Sequence, residues 1–262
     1  MNDFNQLLLT ALIQEKEHEI RSGVYGFTQR EFAYNSNKIE GSKLSKDQTA
    51  SLFSTGTIYA DGIYRAKDIE ETSGHFALFN FMLKTLEDNL SEELIKNFHK
   101  ILKQGVFEDI ANGYAIGDYK TRANVVNDIQ TILPKDVPAA MRKLLERYGN
   151  SNKTLDDLAE FHALYEAIHP FQDGNGRTGR MLLFRECLNN NLIPFIVRDS
   201  NKLQYITAIN KAQKMGIFED LILYFKVEQD WYKKTVEGLI DSTKANNENT
   251  NSKALPIFSF LE

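Results

Sequence analysis

The chain has 262 residues, 42% of them hydrophobic, enough to bury one large core or one core with a small lobe. Its 31 basic and 36 acidic residues leave a formal net charge of −5 with the basic residues scattered, so a nucleic-acid role has no electrostatic support. The single cysteine, Cys187, excludes an intramolecular disulfide, no stretch approaches the length of a membrane span, and the first residues lack a basic leader, so the expected setting is the cytoplasm without a membrane partner.

In chain order, apolar periodicity predicts helices over 4–20, 27–40, 46–54 and 66–88. Gly41 reads as the residue that ends the second, and Ser45 with Gln48 as the capping box of the third. Ser91 caps a further helix with Leu94, Phe98, Ile101 and Leu102 on one stripe. His75 and His99 lie within such stripes and read as structural histidines. Between Gly113 and Pro134, β-branched residues flank an Asn-Asp turn signal and predict a short β-hairpin. Thr154 and Asp157 have capping-box spacing, and Leu158, Phe161, Tyr165 and Ile168 mark a helix over 155–168 that Pro170 ends.

A second helix follows the loop after Pro170 and carries Cys187 as a buried, inert thiol among Leu183, Phe184 and Leu188. Ser200 is the expected cap of a helix bearing Tyr205, Ile206 and Ile209, closed by Gly216. Residues 217–241 read as one more helix, anchored by Trp231 and Tyr232. Composition predicts a linker over 246–252. The apolar run 254–261 should dock back, or belong to a homodimer or a longer parent protein.

The loop itself, His169 to Arg180, carries the chemistry. Asp173-Gly174-Asn175-Gly176 tolerates positive φ and lets consecutive N–H groups converge into an anion-binding nest at a helix N-terminus. Arg177 and Arg180 then sit on the wrong side of the helix macrodipole, which calls for something negative nearby. Phosphate suits the nest, the free N–H groups and the two guanidinium forks together. Asp173 offers a carboxylate oxygen of the kind Mg²⁺ takes beside phosphate, and His169 is the best base in the segment.

Residues 169–180, HPFQDGNGRTGR, resemble the HPFxDGNGRxxR signature of the Fic family at every specified position. The resemblance implies an all-α, Fic-type helical bundle with a small β-hairpin flap, and a nucleotidyltransferase that moves AMP from ATP to a Ser, Thr or Tyr hydroxyl of a target protein. It implies His169 as the base, Asp173 as the Mg²⁺ ligand, Gly174, Asn175 and Gly176 on the α- and β-phosphates, Arg177 and Arg180 on the outer phosphates, and Phe171 as the loop's core anchor. Relatives that phosphorylate carry lysine where Gly174 stands, so the glycine favours AMP transfer. The loop reads phosphates rather than bases, and UTP, GTP or a choline-bearing nucleotide stay open as donors.

Ser36 to Gly41 resembles the [S/T]xxxE[G/N] inhibitory helix of the family, which implies that Glu40 pairs with Arg180, occupies the γ-phosphate seat and is supported by a hydrogen bond from Ser36. Some relatives also remove AMP, which would give Glu40 a second role. In the hairpin, Tyr119-Lys120 stands for the usual Tyr-Arg and Asn127 for a frequent glycine. Val126, Asn127, Asp128 and Ile129 would lie nearest the nucleotide, and the target would bind by strand addition. Tyr205, and Gln213 in place of an asparagine, would lie near ribose and adenine. The expected organisation is an N-terminal helical region over 1–60 with the inhibitory helix near 27–41, a catalytic core over 61–240 with its flap at 114–134, and a tail over 241–262. The alternative is a non-catalytic module that binds a nucleotide and a protein partner; an intact His169 argues against it.

Overall fold

The computed structural model describes residues 3–59, 62–126 and 129–251. Helices α1 (Asp3–Glu17), α2 (Val24–Ile39), α3 (Lys46–Thr55), α4 (Ala66–Lys84), α5 (Glu92–Lys103) and α6 (Phe107–Ala111) precede a minimal strand pair, β1 (Val125–Val126) and β2 (Ile129–Gln130). Helices α7 (Val137–Gly149), α8 (Leu155–Ile168), α9 (Asn175–Asn189), α10 (Lys202–Met215) and α11 (Glu219–Asn251) follow. The strands pair antiparallel, Val125 opposite Gln130 and Val126 opposite Ile129. Among the described residues no helix is long and apolar enough to cross a membrane.

Local chemistry starts and stops these helices. The Ser45–Gln48 and Thr154–Asp157 capping boxes both close reciprocally, and the Ser91 hydroxyl accepts from the Leu94 N–H, so each N-terminus has partners for its orphan donors. Gly41 and Gly216 follow α2 and α10 with φ of 91° and 67°. Helix α7 has no counterpart in the sequence expectations, although Val137, Met141, Leu144 and Tyr148 form its buried stripe at helical spacing.

Two expectations change. Ser200 does not cap α10: it lies in a 3₁₀ turn over Asp199–Asn201, and Asn201 precedes the helix without a side-chain cap bond. Helix α11 runs on to Asn251, into the segment whose composition predicts a linker, because neither glycine nor proline interrupts 239–251 and the helix can propagate. The apolar run 254–261 and the hairpin residues 127 and 128 lie outside the described residues.

The bundle is built around α8 and α9. Every residue of α9 from Arg177 to Leu188 is buried, so its polar side chains must find partners inside the protein. Phe184 of α9 packs against Phe32 of α2 at 5.4 Å, Phe79 of α4 at 5.7 Å and Tyr232 of α11 at 5.7 Å between ring centroids. The three contacts seat α2, α4 and α11 on α9, and the one from Phe32 holds α2 two turns before its end. Phe184→Ala should cost about 3–5 kcal/mol of stability, read from the midpoint of urea unfolding.

Candidate active site

Helix α8 ends at His169, whose N–H donates to the Tyr165 carbonyl at 3.0 Å while its own backbone takes the left-handed conformation, φ 51° and ψ 62°. That geometry is uncommon for a residue with a Cβ and turns the chain sharply. Phe171 is fully buried beyond it, and Asn175 stitches the loop shut: its Oδ1 accepts from the Phe171 N–H at 2.8 Å and its Nδ2 donates to the Phe171 carbonyl at 2.9 Å. Gly174 then opens α9 at φ 79°.

His99 is a structural histidine as expected, and the structure shows what it supports. Its ring stacks on Phe171 at 3.9 Å with 1° between planes. Its Nδ1 accepts from the Gly117 N–H at 3.0 Å and its Nε2 meets the Asp173 carbonyl at 3.1 Å. A carbonyl can only accept and an N–H can only donate, so the ring is neutral with its proton on Nε2.

Each arginine at the positive end of α9 has a carboxylate. Arg177, 2% exposed, pairs with Glu71 of α4 and donates to Asn37 Oδ1 at 3.3 Å. Arg180, also 2% exposed, donates to Glu40 Oε1 at 2.7 Å, to the Ser36 hydroxyl at 3.0 Å and to the Ser36 carbonyl at 2.9 Å. Here the structure differs from the expectation: the Ser36 hydroxyl accepts from Arg180 Nε, and among the described residues it makes no bond to Glu40, so it supports the pair through the guanidinium. Burial raises the Glu40 pKa, yet Arg180 and Arg177 outweigh it and hold the carboxyl below its ordinary value. A Cβ on Gly176 would fall 2.3 Å from Glu40 Oε1, so the missing side chain is what lets this carboxylate settle onto the first turn of α9.

The two carboxylates differ in how easily something could replace them. The Glu71 side chain is 8% exposed and that of Glu40 is 35% exposed. Asp173, at 34%, is reached by Lys103 at 2.8 Å, Lys67 at 3.2 Å and Arg177 at 3.5 Å. Burial opposes ionisation of Asp173, but Arg177 and Lys103 hold it far below the usual carboxylate range. Glu71, Asp109 and Asp173 bring their oxygens within 4.8 Å of one another, as a metal would require, but the Lys103 ammonium bonds all three. Glu71, Lys67 and Lys103 were absent from the sequence reading. The signal for Glu71 is a polar stripe, Asp68, Glu71, Thr72 and His75, on the buried face of α4.

Glu40, Glu166, His169, Gly176, Arg180 and Tyr205 line one cavity of about 590 Å³. Tyr205 OH meets His162 Nε2 at 2.6 Å, and Gln213, at the cavity's far side, donates to the Ala163 carbonyl at 3.0 Å. Thr131 and Ile132, just beyond β2, also line the cavity. Val126 and Ile129 sit in β1 and β2; Asn127 and Asp128 are outside the described residues. Asp173, Asn175 and Arg177 flank the same loop but are not among the cavity's lining residues. Burial, then Lys120, lowers the His169 pKa to about 4, so at neutral pH the imidazole is an unprotonated base.

Residues 89–186 match the model of the Fic/DOC family, and the chain therefore carries a Fic-family domain built around this loop. A probable protein adenylyltransferase of Aquifex aeolicus is 32% identical over 159 residues, 59% of this chain and 47% of that protein. The protein adenylyltransferase fic-1 of Caenorhabditis elegans is 23% identical over 226 residues, 83% of this chain and 42% of that one. The chain thus spans about half the length of the curated relatives it matches. A Fic-domain-containing signaling protein from Bacteroides thetaiotaomicron superposes with a TM-score of 0.70 at 20% identity, covering 93% of this chain and 97% of its own. Fic-1 of C. elegans gives 0.68 at 18%, covering 92% and 73%. At such identities the superpositions speak to the fold.

Because Glu71 is sealed and Glu40 is not, Glu71→Ala should cost about 3–5 kcal/mol, the penalty for stranding a buried guanidinium. Glu40→Gly should cost less than Glu71→Ala, because solvent from the cavity that Arg180 lines can reach the uncovered guanidinium. Urea unfolding of the two variants compares them directly.

Acid should destabilise the protein well above the carboxylate range. Burial lowers His75, His99 and His162 to about 3 and His169 to about 4, against 6.5 for a free imidazole. The unfolded chain therefore binds more protons in that window, and stability present above pH 6.5 is lost as pH falls. Glu166, raised by burial to about 7, acts in the opposite direction but is one group against four. The urea midpoint should drop between pH 6.5 and 5, and less steeply in His162→Gln.

Proposed function

We propose that this chain is a protein adenylyltransferase that moves AMP from ATP to a hydroxyl of a target protein and that Glu40 restrains it. The observation that carries the reading is the Glu40 carboxylate lying on Arg180, 2.7 Å away, and over Gly176, in the cavity that also holds His169. That place combines a helix N-terminus with a guanidinium, and it is the best anion seat in the cavity. The names of the relatives support the same chemistry.

In this reading the triphosphate displaces Glu40 from Arg180, which then neutralises charge on the departing pyrophosphate. The target hydroxyl attacks the α-phosphorus in line, and the neutral His169 imidazole takes its proton. A polyphosphate beside His169 opposes the field of Lys120, so the imidazole becomes more basic when the proton must be accepted. Asp173 fits a hard cation: its carboxylate is ionised, a third exposed and at the mouth of the phosphate loop. Mg²⁺ held by Asp173 and phosphate oxygens would supply further charge neutralisation. Lys103 fills the space between Glu71, Asp109 and Asp173, so Asp173 is the one protein carboxylate of that group assigned to the ion.

Strands β1 and β2 serve as the flap whose edge takes an extended target segment by backbone pairing. Glu40, once off Arg180, also faces the cavity in a position to orient a water, which would suit removal of AMP from a modified target.

Incubation with α-labelled ATP and Mg²⁺ tests the reading. Glu40→Gly should raise covalent label by about tenfold or more over the wild type, a shift of roughly 1.4 kcal/mol. His169→Ala, alone or combined with Glu40→Gly, should lower it by about 10²-fold or more. Stoichiometric nucleotide binding without covalent label in every variant would point to a binding module and sink the proposal.

A further inference from the structure

Lys120 is almost fully buried, at 2% exposure, yet its ammonium has no carboxylate partner among the described residues. Its three N–H donors meet three neutral oxygens: Asn124 Oδ1 at 2.7 Å, the Thr131 hydroxyl at 2.6 Å and the Ile168 carbonyl at 3.4 Å. Asn124 immediately precedes β1 and Thr131 immediately follows β2, so one side chain grips both stems of the hairpin. Ile168 is the last residue of α8 and is joined to His169.

The surrounding backbone makes the same connection. The Lys120 N–H donates to the Pro170 carbonyl at 2.9 Å, and Asn124 Nδ2 donates to the Phe171 carbonyl at 3.1 Å. Across the stem, the Thr131 N–H reaches the Asn124 carbonyl at 3.3 Å. The segment from Ile168 to Phe171 is therefore held to the hairpin on both sides of His169.

We propose that Lys120 is a positioning residue whose ammonium clamps the two stems of the β1–β2 hairpin to the peptide carrying His169, so that hairpin and base are placed as one unit. Strands of two residues cannot hold a hairpin by themselves, and a buried cation satisfied by both stems provides what the ladder lacks. The clamp also sets the electrostatics of the base. After burial, Lys120 is the strongest influence against protonation of His169; Glu40, Asp173 and the Glu166 backbone act the other way. Burial brings the Lys120 ammonium down to about 8. Above that pH the charge is lost and the clamp should loosen.

The proposal rests on the reading of His169 as the base, but its test needs neither nucleotide nor turnover. In the unliganded protein, the His169 ring proton is followed by NMR against pH, assigned by its absence in His169→Ala. Lys120→Met should move the His169 pKa up from about 4 by about one unit, short of 6.5 because burial remains. Lys120→Arg, which keeps charge and donors, should restore most of the shift. Hydrogen exchange at the Thr131 amide should accelerate by about tenfold or more in Lys120→Met, and in the wild type above pH 8 beyond the intrinsic base-catalysed increase.

Asn124→Ala gives an independent arm should Lys120→Met fold poorly. It removes one stem's acceptor and should speed Thr131 exchange while leaving the His169 titration in place. An unchanged His169 titration in Lys120→Met, or unchanged Thr131 exchange in Asn124→Ala, overturns the proposal. A failure of AMP transfer with these shifts intact would instead count against the assigned activity.

Discussion

The first turn of α9 concentrates positive charge: the free N–H groups of the helix start, Arg177 and Arg180 lie within six residues, and both guanidiniums are 2% exposed. Left alone, this end of a central helix would be strongly unfavourable, since a buried cation without a partner costs several kcal/mol. Much of the surrounding structure can be understood as the response. Glu71 comes from α4, Glu40 and Ser36 come from α2, and Asp173 comes from the loop itself. Each carboxylate arrives on a different segment, so satisfying the arginines also ties α2 and α4 to the loop.

The response is graded. Glu71 and Arg177 are sealed together with Lys103 and Asp109 in a balanced cluster, which is a frame for the loop. Glu40 and Asp173 keep about a third of their side chains in contact with solvent. In the proposed function, a ligand arriving from the cavity would meet the more exposed partner of Arg180 and leave the sealed partner of Arg177 in place. On the proposed reading, this difference in burial separates the group that restrains from the groups that support.

How much of this could be read beforehand depends on sequence distance. The loop from His169 to Arg180 was legible because its parts act locally: a helix stop, positive-φ residues and a helix start in twelve consecutive positions. The Glu40–Arg180 pair spans 140 residues and was accessible only because Ser36 to Gly41 resembles a known element. Lys103 and Glu71 had no such flag, as a lysine near the end of an amphipathic helix is ordinarily a solvated face. Ser36 shows the limit of local spacing. Residues four apart on a helix are expected to meet, yet the partner the hydroxyl finds is a buried guanidinium 144 positions away, from which it accepts. The missed α7 and the cap at Ser200 were lesser failures, one of an unread stripe and one of a helix boundary, where sequence signals are weakest.

Glu40 stands at the C-cap of α2, one position beyond the last helical residue, Ile39. Its backbone is thus outside the regular helix, while Ser36 and Phe32, one and two turns earlier, keep that helix anchored on α9. Rotation about the side-chain bonds of a single residue is enough to vacate Arg180, with no displacement of the sixteen-residue rod behind it. Such a latch swings on a timescale of side-chain motion, nanoseconds rather than milliseconds. On the proposed reading, occupancy of the seat is decided by competition between anions at equilibrium, with no slow domain rearrangement to set the pace.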